Sequence, residues 1–124
     1  MEKAALILFA HGARDPEWAS PMRRVRAAVL ERDPSLRVEL AFLEFMTPAL
    51  GDCARTLVEE GYTAITVVPM FIAQGGHLNR DVPALIESLR ATRKNVEISL
   101  LPAIGEQESV VQAMAAAALR EAGL

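Results

Sequence analysis

Short apolar runs alternate along this chain with longer segments in which apolar residues recur every three or four positions. The apolar runs cover residues 4–10, 37–43, 64–69 and 96–101. Runs of this length that are rich in branched aliphatic residues are typical of β-strands. The first and third are apolar almost throughout, which indicates strands that are covered on both faces.

A segment with helical spacing follows each of the four predicted strands. The pairs Asp15-Pro16 and Thr47-Pro48 are expected to open the first two helices, because an N-cap residue followed by proline suits a first helical turn. Gly61 is expected to close the second helix, and the fourth begins at about Glu106. The apolar positions that define the four helices are Trp18, Met22, Val25 and Val29, then Leu50, Cys53 and Leu57, then Val82, Leu85, Ile86 and Leu89, and finally Val110, Val111 and Met114.

This alternation of strand and helix predicts an α/β fold in which right-handed crossovers build a parallel sheet. We expect a three-layer sandwich with a four-stranded sheet in the flavodoxin-like order 2-1-3-4, formed by residues 1–124 as a single domain. In that order the first and third strands are neighbours. The crevice at their carboxyl ends is where open α/β sheets bind ligands.

The two histidines of the chain both follow strands at this edge. His11 lies between the first strand and Gly12, and His77 follows Gly75-Gly76 after the third strand. Imidazole binds first-row divalent metals and exchanges protons near neutral pH, so the pair predicts a metal or acid–base site. For either residue alone, an inert histidine packed at the edge of the sheet is the alternative.

Other candidate residues lie in the same loops. Glu44, after the second strand, could complete an open ligand set or transfer protons, whereas a solvated charge beside a helix start is the alternative. Gly75-Gly76 leaves backbone N–H groups uncovered for an anion, although the pair is also common in ordinary turns. Arg14 and Arg80 could steer an anionic ligand. The arginines at positions 23, 24 and 26 are expected on a solvated helix face.

Composition narrows the class of protein. The chain has 124 residues, of which 52% are hydrophobic, and a net charge of −3, which argues against a nucleic-acid binder because such proteins carry a basic face. No apolar run approaches the roughly 20 residues that span a bilayer, and no signal-peptide pattern is recognisable. The single cysteine, Cys53, suits a reducing compartment and is expected in the core. We therefore expect a cytoplasmic protein that binds neither nucleic acid nor membrane.

Taken together, these loops resemble the small class II chelatases, the CbiX-type sirohydrochlorin chelatases. The matching segments are residues 10–15, 43–48, 67–77 with 80–83, and 102–105, in the order and spacing of the family. Segment 67–77, Val-Val-Pro-Met-Phe-Ile-Ala-Gln-Gly-Gly-His, is the most diagnostic. Some relatives carry a histidine-rich insertion before the fourth strand, but residues 90–95 at that place contain no histidine.

The resemblance implies a homodimer that inserts a divalent metal into sirohydrochlorin, a carboxylate-rich tetrapyrrole, without ATP and without a permanently bound cofactor. It implies that His11 and His77 bind the metal, that His11 accepts a proton, and that Glu44 is a catalytic acidic position beside them. Met70, Phe71 and Ile72 could lie along the cleft and contact the ring, although core packing accounts equally well for Met70. Residues that match tetrapyrrole contacts are Thr47, Ile72, Ala73, Gln74, Gly75, Gly76 and His77. Cobalt, for cobalamin biosynthesis, is favoured on family grounds.

Alternatives stay open at the level of sequence. Iron for sirohaem, or nickel for a nickel tetrapyrrole, would use the same ligands, because affinity follows the ion more than the site. A carrier that binds metal or tetrapyrrole without turnover would also use the same residues. A flavodoxin-like domain with a nucleotide at the glycine-rich loop is a further candidate, and it predicts stabilisation by the nucleotide.

Overall fold

Four parallel strands form one sheet. A computed structural model describes residues 3–73, 75–92 and 95–124, and the side chains of all of these except residues 77–79. The strands are β1 (Ala4–Ala10), β2 (Arg37–Phe42), β3 (Ala64–Pro69) and β4 (Glu97–Leu100), in the order β2-β1-β3-β4. The predicted α/β class and strand order are confirmed. β1 and β3 have the predicted bounds, and β2 and β4 are shorter by one residue at one or both ends.

Four helices connect or follow the strands, at α1 (Ser20–Arg32), α2 (Leu50–Glu59), α3 (Gly76–Thr92) and α4 (Glu108–Glu121). The Asp15 side chain accepts a hydrogen bond from the Glu17 N–H at 3.0 Å, as expected of an N-cap. The turn that it opens is a 3₁₀ helix, Pro16–Ala19, which leads into α1. A second 3₁₀ turn, Ile104–Glu106, delays the start of α4 by two residues relative to the prediction.

The prediction that Thr47-Pro48 opens α2 is wrong. The helix begins at Leu50, because the Pro48 carbonyl accepts a hydrogen bond from the Phe42 N–H at 2.9 Å and Ala49 bridges to Phe42. This short segment therefore prolongs the edge of β2 instead of starting a helical turn. Gly61 closes α2 as predicted, with a φ of +93° that favours glycine.

The main core lies between the sheet and the pair α2 and α3. Ile7 and Phe9 from β1 pack there against Leu50, Leu57 and Ile86. Cys53 belongs to the same cluster, so its predicted core position is confirmed. Among the described residues, no helix is long and apolar enough to cross a membrane.

The opposite face of the sheet is covered by α1, which completes the predicted three layers. Val25 and Val29 of α1 pack against Leu8 and Val38. Arg26 was expected on a solvated face, but its Nε donates to the Val38 carbonyl at 2.7 Å, because the long side chain lies along the edge strand β2.

Helix α4 does not reach the core at its predicted apolar positions. None of its residues is buried, and Val111, Met114 and Leu119 are 42%, 39% and 54% exposed. Beneath that side of the sheet, β3 and β4 present the half-buried polar residues Thr66 and Ser99. The apolar face of α4 is thus open to solvent in a single chain.

Candidate active site at the carboxyl edge of the sheet

His11 directly follows β1, which lies between β2 and β3 in the sheet. The loops after β2 and β3 therefore flank it on both sides. The His11 carbonyl accepts a hydrogen bond from the Glu44 N–H at 3.0 Å, one step beyond the bond from the Leu43 N–H to the Ala10 carbonyl at 2.9 Å. The structure thus brings His11 and Glu44 together by continuing the β1–β2 ladder past both strands.

Gly12 lets the loops after β1 and β2 approach this closely. Its φ is +89°, a left-handed conformation that glycine adopts without a steric penalty. A Cβ atom at this position would lie 1.9 Å from the Glu44 carbonyl oxygen, which is far inside van der Waals contact. The His11-Gly12 pair therefore supplies a candidate ligand together with the close backbone approach that places Glu44 beside it.

The imidazole of His11 rests on a buried aromatic ring. The ring centroids of His11 and Phe71 are 4.2 Å apart with an interplanar angle of 34°, and Phe71 in turn packs on Phe9 at 5.9 Å. Phe71 is 3% exposed, so it supports the histidine from below and does not line the cleft as expected. Met70 packs in the core clusters, whereas Ile72 is 73% exposed.

The loop after β4 holds the loop after β3 in position through a hydrogen bond and a close backbone approach. The Gly105 N–H donates to the Phe71 carbonyl at 2.9 Å, and a Cβ atom at Gly105 would lie 2.2 Å from the Ile72 carbonyl oxygen. Gly105 lies in segment 102–105 of the family resemblance, and its role in positioning Phe71 depends on a contact made only in the folded chain. Ile72, Ala73, Gly75 and Gly76 are all exposed at this edge.

His77 is the second residue of α3, so Gly76 and His77 lie within the first turn of that helix and not before it. The side chain of His77 and all of Gln74 lie outside the described part of the structure. The pairing of the two imidazoles therefore stays a prediction. Among the side chains that the structure does describe, no group of three His, Cys, Asp or Glu residues could hold a metal ion.

The remaining predicted site residues are exposed around His11. The Glu44 side chain is exposed, and Thr47 is exposed on the wall of a cleft between the loop after β2 and the start of α1. Arg14 and Arg23 line the same cleft, whereas Arg80 is exposed at the start of α3. Sequence reasoning assigned Arg23 to a solvated helix face and missed its place in this cleft.

The CbiX family profile matches residues 5–121 of the chain. The chain belongs to the CbiX family. A curated relative from Saccharolobus solfataricus, named sirohydrochlorin cobaltochelatase, is 32% identical over 111 residues, which covers 85% of each chain.

Two solved structures are similar to this member of the CbiX family. One is the CbiX protein assigned to cobalamin (vitamin B12) biosynthesis in Marinobacter aquaeolei VT8, with a TM-score of 0.85, 31% identity and coverage of 97% of this chain and 98% of that chain. The other is SirB from Bacillus subtilis with Fe3+, with a TM-score of 0.80 and 26% identity. The match to SirB covers 98% of this chain but 48% of that one.

Proposed function

We propose that this chain is an ATP-independent chelatase that inserts a divalent metal ion, physiologically cobalt, into sirohydrochlorin for cobalamin biosynthesis. The observation that carries the proposal is the imidazole of His11, stacked on buried Phe71 at the open edge of the sheet and next to Glu44. The name of the Saccharolobus relative supports this substrate and this metal.

Metal insertion exchanges a divalent ion for two pyrrole protons of the ring. His11 and His77 hold the incoming ion through imidazole nitrogens, which suit cobalt, iron and nickel. Two histidines leave other coordination positions of the ion open. A closed set of protein ligands would retain the ion instead of releasing it to the ring. As the metal forms its bonds to the pyrrole nitrogens, it leaves the His11 nitrogen, which then accepts one of the two displaced protons, while the other passes to bulk water through Glu44.

Glu44 takes part in proton transfer in this proposal. Its side chain is exposed to bulk water and its backbone N–H bonds to the His11 carbonyl, a setting that suits passing protons to solvent. The macrocycle is held by Thr47 on one side and by residues 72–77 on the other. In this proposal the backbone N–H groups of the latter receive carboxylates of the substrate.

The working unit in this proposal is a homodimer of chains in which residues 1–124 form one chelatase domain. The site as seen in one chain has walls from the loops after β2 and β3 and is otherwise open, and α4 exposes an apolar face. This chain covers 48% of SirB, so the rest of SirB is long enough for a second unit of similar size. A reducing cytoplasmic location accords with the free, buried thiol of Cys53.

Substitution of His11 tests the site directly. His11→Phe retains an aromatic ring to stack on Phe71 but removes both nitrogens, whereas His11→Ala removes the ring as well. We expect both variants to lose at least about 100-fold in the rate of sirohydrochlorin metalation, the scale of general acid–base catalysis. The assay is anaerobic absorbance spectroscopy with Co2+. Near-normal rates in a folded His11→Phe protein would refute the assignment.

Turnover separates the chelatase from a carrier. With sirohydrochlorin in large excess over protein, the chelatase converts all of the substrate, whereas a carrier stops at one equivalent per site. Parallel assays with Co2+, Fe2+ and Ni2+ rank the metals, and a preference for Fe2+ over Co2+ would favour the sirohaem pathway, in line with the iron held by SirB.

A further inference from the structure

A cleft of about 480 Å³ opens at the carboxyl edge of the sheet, between the loop after β1, the start of α1 and the loop after β2. This volume lies within the range of small-molecule pockets. The floor of the cleft is apolar, and its rim is polar: the floor includes Ala19, Leu40 and Phe42, and the rim includes Arg14, Arg23 and Thr47.

The charge on this rim is entirely positive. Arg14 and Arg23 both line the cleft, and no carboxylate lines it among the described residues. Both arginines are exposed, and neither forms an ion pair within the described part of the chain. Two unpaired guanidinium groups on one cleft, in a chain with a net charge of −3, form a local site for an anion.

Arg14 is also held in place without using its hydrogen-bond donors. Its guanidinium carbon lies 4.8 Å from the ring centroid of Phe45, which is 59% exposed. Phe45 has a φ of 66°, which is uncommon for a residue other than glycine, and a hydrogen bond of 2.8 Å from the Met46 N–H to the Glu44 carbonyl closes this turn. The stack orients the planar guanidinium and leaves its N–H groups free for a ligand.

We propose that Arg14 and Arg23 bind peripheral carboxylates of the tetrapyrrole and so set its position over His11. This inference rests on the proposed function. The cleft and His11 lie at the same edge of the sheet, because the loop after β1 that carries His11 also supplies Arg14 to the rim of the cleft. Guanidinium groups recognise carboxylates through two parallel N–H···O bonds, which fixes orientation as well as affinity.

The test compares Arg14→Gln, Arg23→Gln and the double variant with Arg24→Gln. Arg24 is an exposed neighbour on α1 that does not line the cleft, so it controls for loss of net charge. We expect KM for sirohydrochlorin to rise about tenfold for each cleft arginine, on the scale of one charge-assisted hydrogen bond. The kcat values should stay within about twofold of the parent, because these groups do not touch the reacting nitrogens.

A direct binding arm uses metal-free porphyrins followed by fluorescence. Uroporphyrin carries more carboxylates than coproporphyrin, so the parent protein should bind uroporphyrin more tightly. The double variant should lose most of that preference, while Arg24→Gln should keep it. Unchanged melting temperatures would show that the variants are folded, as expected for exposed side chains without ion pairs.

The outcomes separate the two proposals. If the parent protein turns over sirohydrochlorin and the double variant has the same KM, the carboxylate subsite is wrong and the chelatase stands. If the parent protein metalates nothing, the chelatase is wrong, and the porphyrin preference still decides the subsite. Saturable binding of inorganic phosphate with unchanged porphyrin binding would assign the cleft to a free anion and overturn the inference.

Discussion

The imidazole of His11 is positioned by stacking on the Phe71 ring and by the hydrogen bond that the His11 carbonyl accepts from the Glu44 N–H. Histidines that hold a metal permanently usually donate their second ring N–H to a fixed acceptor, which selects one tautomer. Among the described residues, no such partner bonds to His11, whose ring instead stacks on Phe71 at 4.2 Å. A histidine with both nitrogens uncommitted suits a residue that must first hold an ion and then accept a proton.

Cys53 offers a residue-scale test of the core that is separate from the site. Burial raises the pKa of its thiol to about 11, and the nearby Glu39 carboxylate acts in the same direction. The folded state therefore holds the thiol proton more tightly than the unfolded state, so stability is complete below about pH 9 and falls as the pH rises towards 11. We expect a loss of about 2 kcal/mol at the top of this range.

Urea unfolding of the parent protein and of Cys53→Ala, at several pH values, measures this effect. The variant lacks the titrating thiol, so its stability should fall less steeply over the same range, whatever the cost of the small cavity. Iodoacetamide should alkylate the native parent slowly at pH 8 and rapidly in urea, because the reactive form is the thiolate. Parallel pH slopes for the two proteins would contradict the buried-thiol account.

At the scale of elements, the two edges of the sheet are built differently. At the amino edge an ion pair joins two elements, because Arg37 at the start of β2 donates to the Glu60 carboxylate after α2 at 2.6 Å. This contact lowers the pKa of the Glu60 carboxyl. The carboxyl edge is tied by close backbone approach at Gly12 and Gly105. Tight loops without local ion pairs leave charged side chains such as Arg14 available for a ligand.

Substitution of Gly12 tests this construction. Gly12→Ala places a methyl group against the Glu44 carbonyl and forces a left-handed alanine, so we expect a loss of roughly 2 kcal/mol or more in stability together with loss of metalation. Gly51→Ala is the matched control, because Gly51 lies inside α2 and a Cβ atom there would lie 3.8 Å from Leu89 Cδ2, an ordinary van der Waals contact. That change should stabilise the protein by up to about 1 kcal/mol. Thermal melting and the chelatase assay distinguish the two, and an active, stable Gly12→Ala protein would contradict the backbone-contact account.

Much of the element map could be predicted because the determinants are local. The continuous apolar runs of β1 and β3 gave their bounds, and Gly61 marked the end of α2. The start of α2 could not be predicted, because Pro48 bonds back to Phe42 of the preceding strand, a contact made only in the folded chain. The same reason explains why the surroundings of α4 could not be predicted: its apolar spacing shows a face but not what covers it.

The candidate site was predictable in position but not in its supports. The strand order was enough to place His11 beside the loop that carries Glu44, since parallel strands end at one edge. The stacking of His11 on Phe71 depends on how the chain turns after β3. The apolar run 67–72 shows no periodicity from which that turn could be predicted. The cleft that Arg23 lines is formed in part by Phe45, where a non-glycine residue adopts a positive φ.

At the scale of the whole molecule, the open face of α4 and the open side of the site both bear on the proposed homodimer. A helix with no buried residue has its apolar side chains in water, a cost that association would remove. SirB, the longer structural neighbour, is about twice the length that this chain covers. In the proposed homodimer, a second copy of this chain covers both.

The homodimer can be tested at the face of α4. Val111 and Met114 lie on one side of the helix and Ala116 on the other, so Met114→Glu with Val111→Glu should break the dimer while Ala116→Glu should not. Light scattering after size exclusion should give twice the mass of one chain for the parent and for Ala116→Glu, and the mass of one chain for the double variant. If the second copy also completes the site, the monomeric variant should lose at least about tenfold in kcat/KM with its melting temperature nearly unchanged, since both mutated side chains are exposed. A parent protein that runs as a monomer at assay concentration, or a double variant that remains a dimer, would exclude this face as the interface.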